Sequence, residues 1–331
     1  MRLALGAVRS TSPEMLRYAR QIGYSEIVVN TPQDLPGDGS WQASDLRSMI
    51  TRIHDHDLSV AAIENTPLSF YQDIILGGDQ WKMQTDRYKD TIRAVGDAGI
   101  PIMGFHWMAN EVWRTSLDLT GRGGARLTAF DYGSLKNPET PTHGRVYERS
   151  EVRSNFDRFM GDILPVAEAA GVQMALHPDD PPVESLGGIP RLFWNADELD
   201  NVVRQYESSS AFGLQFCLGT VSEMGPGAAE VLEGFVRRGA VRYVHFRDVL
   251  GYVPKFHEAF LGEGNLDPVA ILQMLIDLDF SGFLIDDHVP LLDGDPEVDA
   301  DWVKSDYAYR GRAYANGYLQ GMVAAISGAK S

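Results

Sequence analysis

The chain has 331 residues, 44% of them hydrophobic and 23% charged, with a formal net charge of -17. That composition suits a globular chain with a large core, and its negative field repels nucleic acid and anionic lipid, which are therefore not expected as partners. No run approaches the ~20 apolar residues of a membrane span, and the single cysteine, Cys217, excludes an intrachain disulfide and suits a reducing cytoplasm.

The opening "MRLALGAVRS" has a short apolar stretch that reads as a strand rather than a signal peptide. From there short β-rich runs alternate with helical patterns. Strand "RLALGA" (2–7) precedes helix "SPEMLRYARQIG" (12–23), and "SEIVVN" (25–30) precedes "ASDLRSMITRIHDHD" (43–57). "LSVAAI" (58–63) leads through "RYKDTIRAVGDAG" (87–99) to strand four, "IPIMGF" (100–105). A Gly-, Pro- and Thr-rich stretch at 109–147 then breaks the rhythm and is expected to be a loop insert acting as a lid. Helix "RSNFDRFMGDILPVAEAAG" (153–171), strand "VQMALH" (172–177) and helix "NADELDNVVRQY" (195–206) restore it. The last three strands are "FGLQFC" (212–217), "VRYVHF" (241–246) and "GFLIDD" (282–287), with helix "DPVAILQMLIDLD" (267–279) before the final one. Nearly continuous apolar runs fit parallel strands covered on both faces, and Ser, Asp or Asn at several helix starts are cap signals. Eight such strands predict a (β/α)8 TIM barrel, a single domain over residues 1–331. The rival doubly wound sheet lacks its Gly-rich phosphate turn after strand one.

In a barrel the C-terminal strand ends converge on one mouth. His177, Cys217, His245 and Asp287 fall at the ends of strands five to eight. Imidazole, thiolate and carboxylate together suit a divalent transition metal such as Mn, Fe, Co or Zn, not an oxygen-only Mg or Ca site. Each has a bland alternative: Cys217 as core packing, His245 as a hydrogen-bonded core histidine, Asp287 as a cap. Their common placement favours one site. His106 ends strand four at the same mouth, and His257 follows strand seven; both are expected to contact substrate. Arg114, just after strand four, is expected to anchor a carboxylate or hydroxyl through its bidentate fork. His54 and His56 sit at a predicted helix end and His143 in the insert, where solvated histidines are ordinary.

Several motifs occur in an order that resembles the mannonate dehydratase family, sugar-acid dehydratases on the xylose isomerase-like TIM barrel. They are "IENTP" with "DIILG", "YKDTIRAVGDAGI", "WRTS" with "AFD", "MALHPDDPP", "GLQFCLGT", "VHFRDV" followed by "FHEAFLGEGNLD", and "DDHVP". The likeness spans about residues 60–322. It implies metal ligands at His177, Cys217, His245 and Asp287, and a catalytic pair at His288 and Tyr307, with Tyr309 the alternative tyrosine in "SDYAYRGRAYANGYLQG". Glu64, in "IENTP", joins His106, Arg114 and His257 in the expected substrate-binding set. The implied activity is that of a hydro-lyase of hexuronate catabolism that turns D-mannonate into 2-keto-3-deoxy-D-gluconate and water. It would use Mn²⁺ or Fe²⁺ and no nucleotide cofactor, as a cytoplasmic homo-oligomer acting on a small sugar acid. A metal-dependent sugar isomerase or epimerase, and a barrel that binds sugar acids without turnover, are the alternatives. Strand one reads "ALGAV" in place of the family's "WYG", strand four carries "GFHWMANEVWRTS", and "HVP" follows Asp287 where "HGR" is usual, which leaves the sugar acid open.

Overall fold

The computed structural model describes residues 1–37, 39–295 and 309–328. Its strands are, in chain order, β1 (Arg2–Leu3), β2 (Leu5–Val8), β3 (Glu26–Asn30), β4 (Ser59–Glu64), β5 (Ile102–Phe105), β6 (Ser116–Thr120), β7 (Arg126–Asp131), β8 (Gln173–Leu176), β9 (Ser185–Leu186), β10 (Ile189–Pro190), β11 (Phe212–Cys217), β12 (Val241–Phe246), β13 (Asp248–Tyr252), β14 (Lys255–Ala259) and β15 (Phe283–Asp286). Its α-helices are α1 (Pro13–Gln21), α2 (Ala43–His54), α3 (Gln72–Leu76), α4 (Trp81–Asp97), α5 (Arg149–Ala170), α6 (Ala196–Tyr206), α7 (Leu218–Glu223), α8 (Ala228–Arg237), α9 (Pro268–Asp277) and α10 (Tyr309–Gly328).

All eight apolar runs are strands of one parallel sheet, hydrogen-bonded in the order β1-β15-β12-β11-β8-β5-β4-β3-β2. The two ends of that order, β1 and β2, are the first predicted strand split at Ala4, so the sheet closes into a barrel. The cap signals hold. Ser12 accepts from the Met15 amide at 3.3 Å, Asn195 from that of Glu198 at 2.8 Å, and Asp267 from those of Val269 and Ala270 at 3.0 Å. Inside the barrel, Ala4, Ala61, Ala62 and Ala175 leave room for Tyr243, which stacks on Phe283 with ring centroids 4.8 Å apart. A much larger apolar layer lies between the strands and the surrounding helices. Among the described residues no helix is long and apolar enough to cross a membrane.

The insert departs from the expected loop. Within 109–147, "SLDLT" and "RLTAFD" form β6 and β7, an antiparallel pair around a Gly-rich turn. The alternation of apolar and polar residues was present in the sequence, hidden by the Gly, Pro and Thr around it. β7 pairs with β14, and β14 with β13, so the insert and a hairpin after β12 make one four-stranded antiparallel sheet, β13-β14-β7-β6. Phe130, Val183, Leu186, Val249 and Phe256 form its own small core. Mutual amide–carbonyl bonds between Arg126 and Leu291, at 2.9 and 3.0 Å, tie the insert to the chain beyond β15. The helix α10 is anchored by Arg312, which donates to Asp286 at 3.0 Å.

One glycine is fixed by close approach. A Cβ on Gly104 in β5 would lie 2.4 Å from Gln215 Oε1, 2.7 Å from the Tyr243 hydroxyl and 2.8 Å from Glu64 Cβ. Gly104→Ala should therefore cost about 1–3 kcal/mol by overpacking the barrel interior. Gly161→Ala, in open space on α5, should instead be neutral or gain up to about 1 kcal/mol from helix propensity. Urea unfolding of the two variants beside wild type checks this, and equal stabilities would refute the crowding at Gly104.

Candidate active site

A cavity of about 370 Å³ opens at the C-terminal ends of the strands. His177, His245, Asp287 and His288 line it, and so does His106 after β5. The ligand atoms of His177, Cys217 and His245 all lie within 4.8 Å of one another, and all three residues are buried. Asp287 closes on the same group, with Oδ2 3.5 Å from His245 Nδ1 and 3.8 Å from Cys217 Sγ. Strand pleat separates the two aspartates of "DDHVP". Asp286 pairs with Arg312 under α10, while Asp287 lines the cavity.

Each candidate ligand is oriented from behind. His177 Nδ1 donates to the Pro178 carbonyl at 2.5 Å, which reserves Nε2 for the cavity side. His245 Nε2 lies 3.1 Å from Glu64 Oε2, and its Nδ1 is buried with no hydrogen-bond partner among the described residues. Cys217 sits at the start of α7, and its sulfur accepts from the Thr220 amide at 3.4 Å. Burial would raise the Cys217 thiol, but the Arg247 guanidinium, His177 and His245 outweigh it and bring its pKa down to about 5. For Asp287, burial is likewise outweighed by His288, His245 and Arg247, leaving the carboxyl well below the usual range. Burial opposes a cation on His245, yet Glu64 and Asp287 raise its pKa well above the ordinary imidazole value.

These observations test the metal expectation. Two imidazoles, a thiol that ionises readily and an adjacent carboxylate 3.5 Å from a buried ring nitrogen fit a divalent transition metal. Carboxylates that favour a proton on His245 also favour a metal cation beside it. A histidine whose other nitrogen meets a carboxylate, as His245 meets Glu64, is the usual outer support of such a ligand.

Three expected substrate contacts have other places. Glu64, the last residue of β4, faces the barrel interior, where its carboxylate accepts from Asn30, Gln215 and Tyr243 at 2.7–3.0 Å and backs His245. It does not line the cavity. Arg114 does not line it either. Its fork is taken by both oxygens of Asp180 and by Glu258, and its side chain is 1% exposed. A guanidinium this deep needs carboxylates, which the sequence spacing could not show. His257 lies on β14 next to inward-facing Glu258, with Nδ1 2.8 Å from that residue's carbonyl oxygen, and is absent from the cavity lining. Alternation along the strand separates the two side chains. Tyr307 falls outside the described residues. Tyr309 packs edge-on against Tyr18, accepts that residue's hydroxyl on its carbonyl and does not line the cavity. His143 bonds Gln72 at 2.9 Å, pinning the insert to α3.

Residues that sequence reasoning missed complete the wall. Arg9, Asn30 and Asn65 line one part of the cavity, and Arg247 and Asp180 another. Arg247 had a signal, since it stands two residues after His245 in "VHFRDV" and so shares its face of the chain. Asp180, in "HPDDPP", is held ionised: burial is outweighed by Arg114, Arg247 and His288. His106 is held neutral, its pKa brought down to about 3 by burial and by the charges of His177 and Arg191.

A family model described as D-mannonate dehydratase matches residues 1–148 and 142–331. Mannonate dehydratase 2 of Halalkalibacterium halodurans is 27% identical over 354 residues, covering 99% of this chain and 100% of that one. The crystal structure of mannonate dehydratase from Streptococcus suis serotype 2 superposes with a TM-score of 0.87 at 25% identity, over 100% of this chain and 94% of that one. A xylose isomerase domain protein from Planctomyces limnophilus shares the fold alone, with a TM-score of 0.64 at 16% identity over 99% of both chains.

Replacing Cys217 by Ser exchanges an ionisable soft ligand for a weak neutral one. Metal bound per chain, read by elemental analysis, should fall while circular dichroism stays that of wild type; full occupancy would return Cys217 to a packing role. The neutral burial of His106 has its own consequence. Its folded pKa of about 3 lies below the unfolded 6.5, so its contribution is complete above pH 6.5 and is lost as pH falls towards 3. His106→Gln lacks this loss, so its stability deficit against wild type should narrow between about pH 7 and about pH 4.5. A constant deficit in urea titrations of metal-stripped protein would contradict it.

Proposed function

This chain belongs to the D-mannonate dehydratase family, and from that premise we propose that it removes water from D-mannonate to give 2-keto-3-deoxy-D-gluconate. The observation that supports this best is the convergence of His177, Cys217 and His245 within 4.8 Å, with Asp287 and His288 beside them in one cavity. We assign His177, Cys217, His245 and Asp287 as ligands of Mn²⁺ or Fe²⁺. A cytoplasmic location would keep that thiolate reduced.

The reaction takes a proton from C2 and expels the C3 hydroxyl, and the resulting enol becomes the 2-keto acid. The C2 proton is barely acidic because it neighbours an anionic carboxylate; a bound divalent ion supplies Lewis acidity that stabilises the charge developing there. The chain's own residues supply the proton traffic. His288, on the cavity wall next to Asp287, is one carrier, and Tyr307 is the other on this reading. One takes the C2 proton and the other protonates the departing hydroxyl, each contributing about 10²–10⁴-fold. Neutral His106 can donate or accept a hydrogen bond from a sugar hydroxyl, and Asn30 and Asn65 offer amides on the facing wall.

Incubation of the Mn²⁺-loaded protein with D-mannonate should yield a 2-keto acid lighter by one water, seen by mass spectrometry. An unchanged mass would indicate isomerisation or epimerisation, and binding without product would indicate a non-catalytic barrel. His288→Asn should lower kcat by at least ~10²-fold while metal content and substrate binding persist. Turnover at the wild-type rate in that variant would remove His288 from the mechanism.

A further inference from the structure

The ring of His288 is gripped from behind by a residue of the accessory sheet. Glu258 lies on β14 opposite Val249 of β13, with its side chain 3% exposed. Its Oε1 is 3.0 Å from His288 Nδ1. The same oxygen accepts from Arg114 at 2.8 Å, and Oε2 is 3.5 Å from Arg247 Nε. Arg247 Nη1 and Arg114 Nη2 also stand 2.8 and 3.4 Å from Nδ1. Guanidinium groups only donate, so Glu258 is the one group of the three that can accept a proton-bearing Nδ1.

We propose that Glu258 is a positioning residue of the reaction. It accepts a hydrogen bond from His288 Nδ1, fixes the rotation of the ring and leaves Nε2 as the nitrogen that exchanges a proton with substrate. A ring held at one nitrogen cannot swap its two nitrogens by flipping, and proton transfer depends on that placement. The two arginines hold the carboxylate itself in place, because each bonds Glu258 and Asp180 or stands against them. The grip comes from outside the barrel, from a sheet half of which is the insert after β5. Oε2 lies within range of Arg247, so the carboxylate spans the space between the histidine and the arginine behind it.

This inference rests on His288 carrying a proton in the dehydration, and the test separates the two. With the Mn²⁺-loaded enzyme and D-mannonate, Glu258→Gln should lower kcat by about 10-fold or more, with KM and metal content near wild type. Glu258→Asp keeps the charge but shortens the reach, so its loss should be intermediate, and it serves if the Gln variant does not fold. In a His288→Asn background either change should add nothing further. Proton–nitrogen NMR of zinc-loaded, histidine-labelled protein should show one ring form for the signal that His288→Asn removes, and a mixture of forms in the Glu258 variants. A wild-type kcat, a loss of equal size in the His288→Asn background, or an unchanged ring signal would each overturn the role of Glu258 while leaving that of His288 standing. A fully active His288→Asn enzyme would remove both.

Discussion

Charge taken out of water at the barrel mouth has to be matched by charge, and that requirement organises the rest of the site. Arg114, Asp180, Glu223, Arg247 and Glu258 are each at most 3% exposed, and they come from five separate stretches of chain. Asp180 receives both arginines, Arg247 also reaches Glu223, and Arg114 also reaches Glu258. Glu223 is pushed well above the usual carboxylate range, first by burial and then by Asp180, while Arg247 and Arg114 act against that shift. Such a cluster gains little net stability over an apolar filling, because desolvation offsets the attraction. Removing one member, however, strands the others at a cost of about 3–5 kcal/mol. Its effect is to fix geometry, since five separate stretches of chain have to meet for every charge to be matched. Room for it is made by Gly219, where a Cβ would sit 2.0 Å from Arg247 Nε.

The second organising feature is the two-residue period of a strand. Along β12 and its exit, Tyr243, His245 and Arg247 lie on one face. Tyr243 bonds Glu64 inside the barrel at 2.7 Å, His245 stands in the candidate metal-ligand group above it, and Arg247 meets the charged cluster at the mouth. Val244 and Phe246, between them, belong to the apolar layer under the helices. One strand thus links three levels: interior packing, ligand and buried cation. Arg247 then acts back on the ligands, since its charge is the leading influence favouring the Cys217 thiolate.

These two features explain what the sequence revealed. Continuous apolar runs between helical patterns read directly as eight parallel strands, because the pattern follows from burial on both faces. The meeting of His177, Cys217, His245 and Asp287 at one place was legible as well, since the end of a strand is a defined place in a barrel. Glu64, Arg114 and His257 were less so. Glu64 and His106 both end strands, yet one turns into the barrel and the other to the cavity, and that choice depends on register between neighbours. Arg114 follows the strand by several residues, and only the approach of Asp180 and Glu258, distant in sequence, decides that its fork meets carboxylates away from the cavity lining. The insert shows the same dependence: β6 and β7 pair with each other across a Gly-rich turn, but β7 takes its second partner, β14, from a hairpin more than a hundred residues later.

The site therefore has two origins within one fold. The barrel supplies the candidate ligand group, placed by strands that pack against one another and against helices. The antiparallel sheet supplies Glu258, and the turn into it supplies Arg114. A substitution at Glu258 in the sheet reaches the His288 ring directly, and that ring stands 3.8 Å from Asp287 Oδ1. Conversely, the wall formed by the ends of β2, β3 and β4, with Arg9, Asn30 and Asn65, is remote in sequence from both sets and contains no candidate metal ligand. Asn30 still ties this wall to the candidate ligands, because it donates to Glu64 at 3.0 Å and Glu64 backs His245.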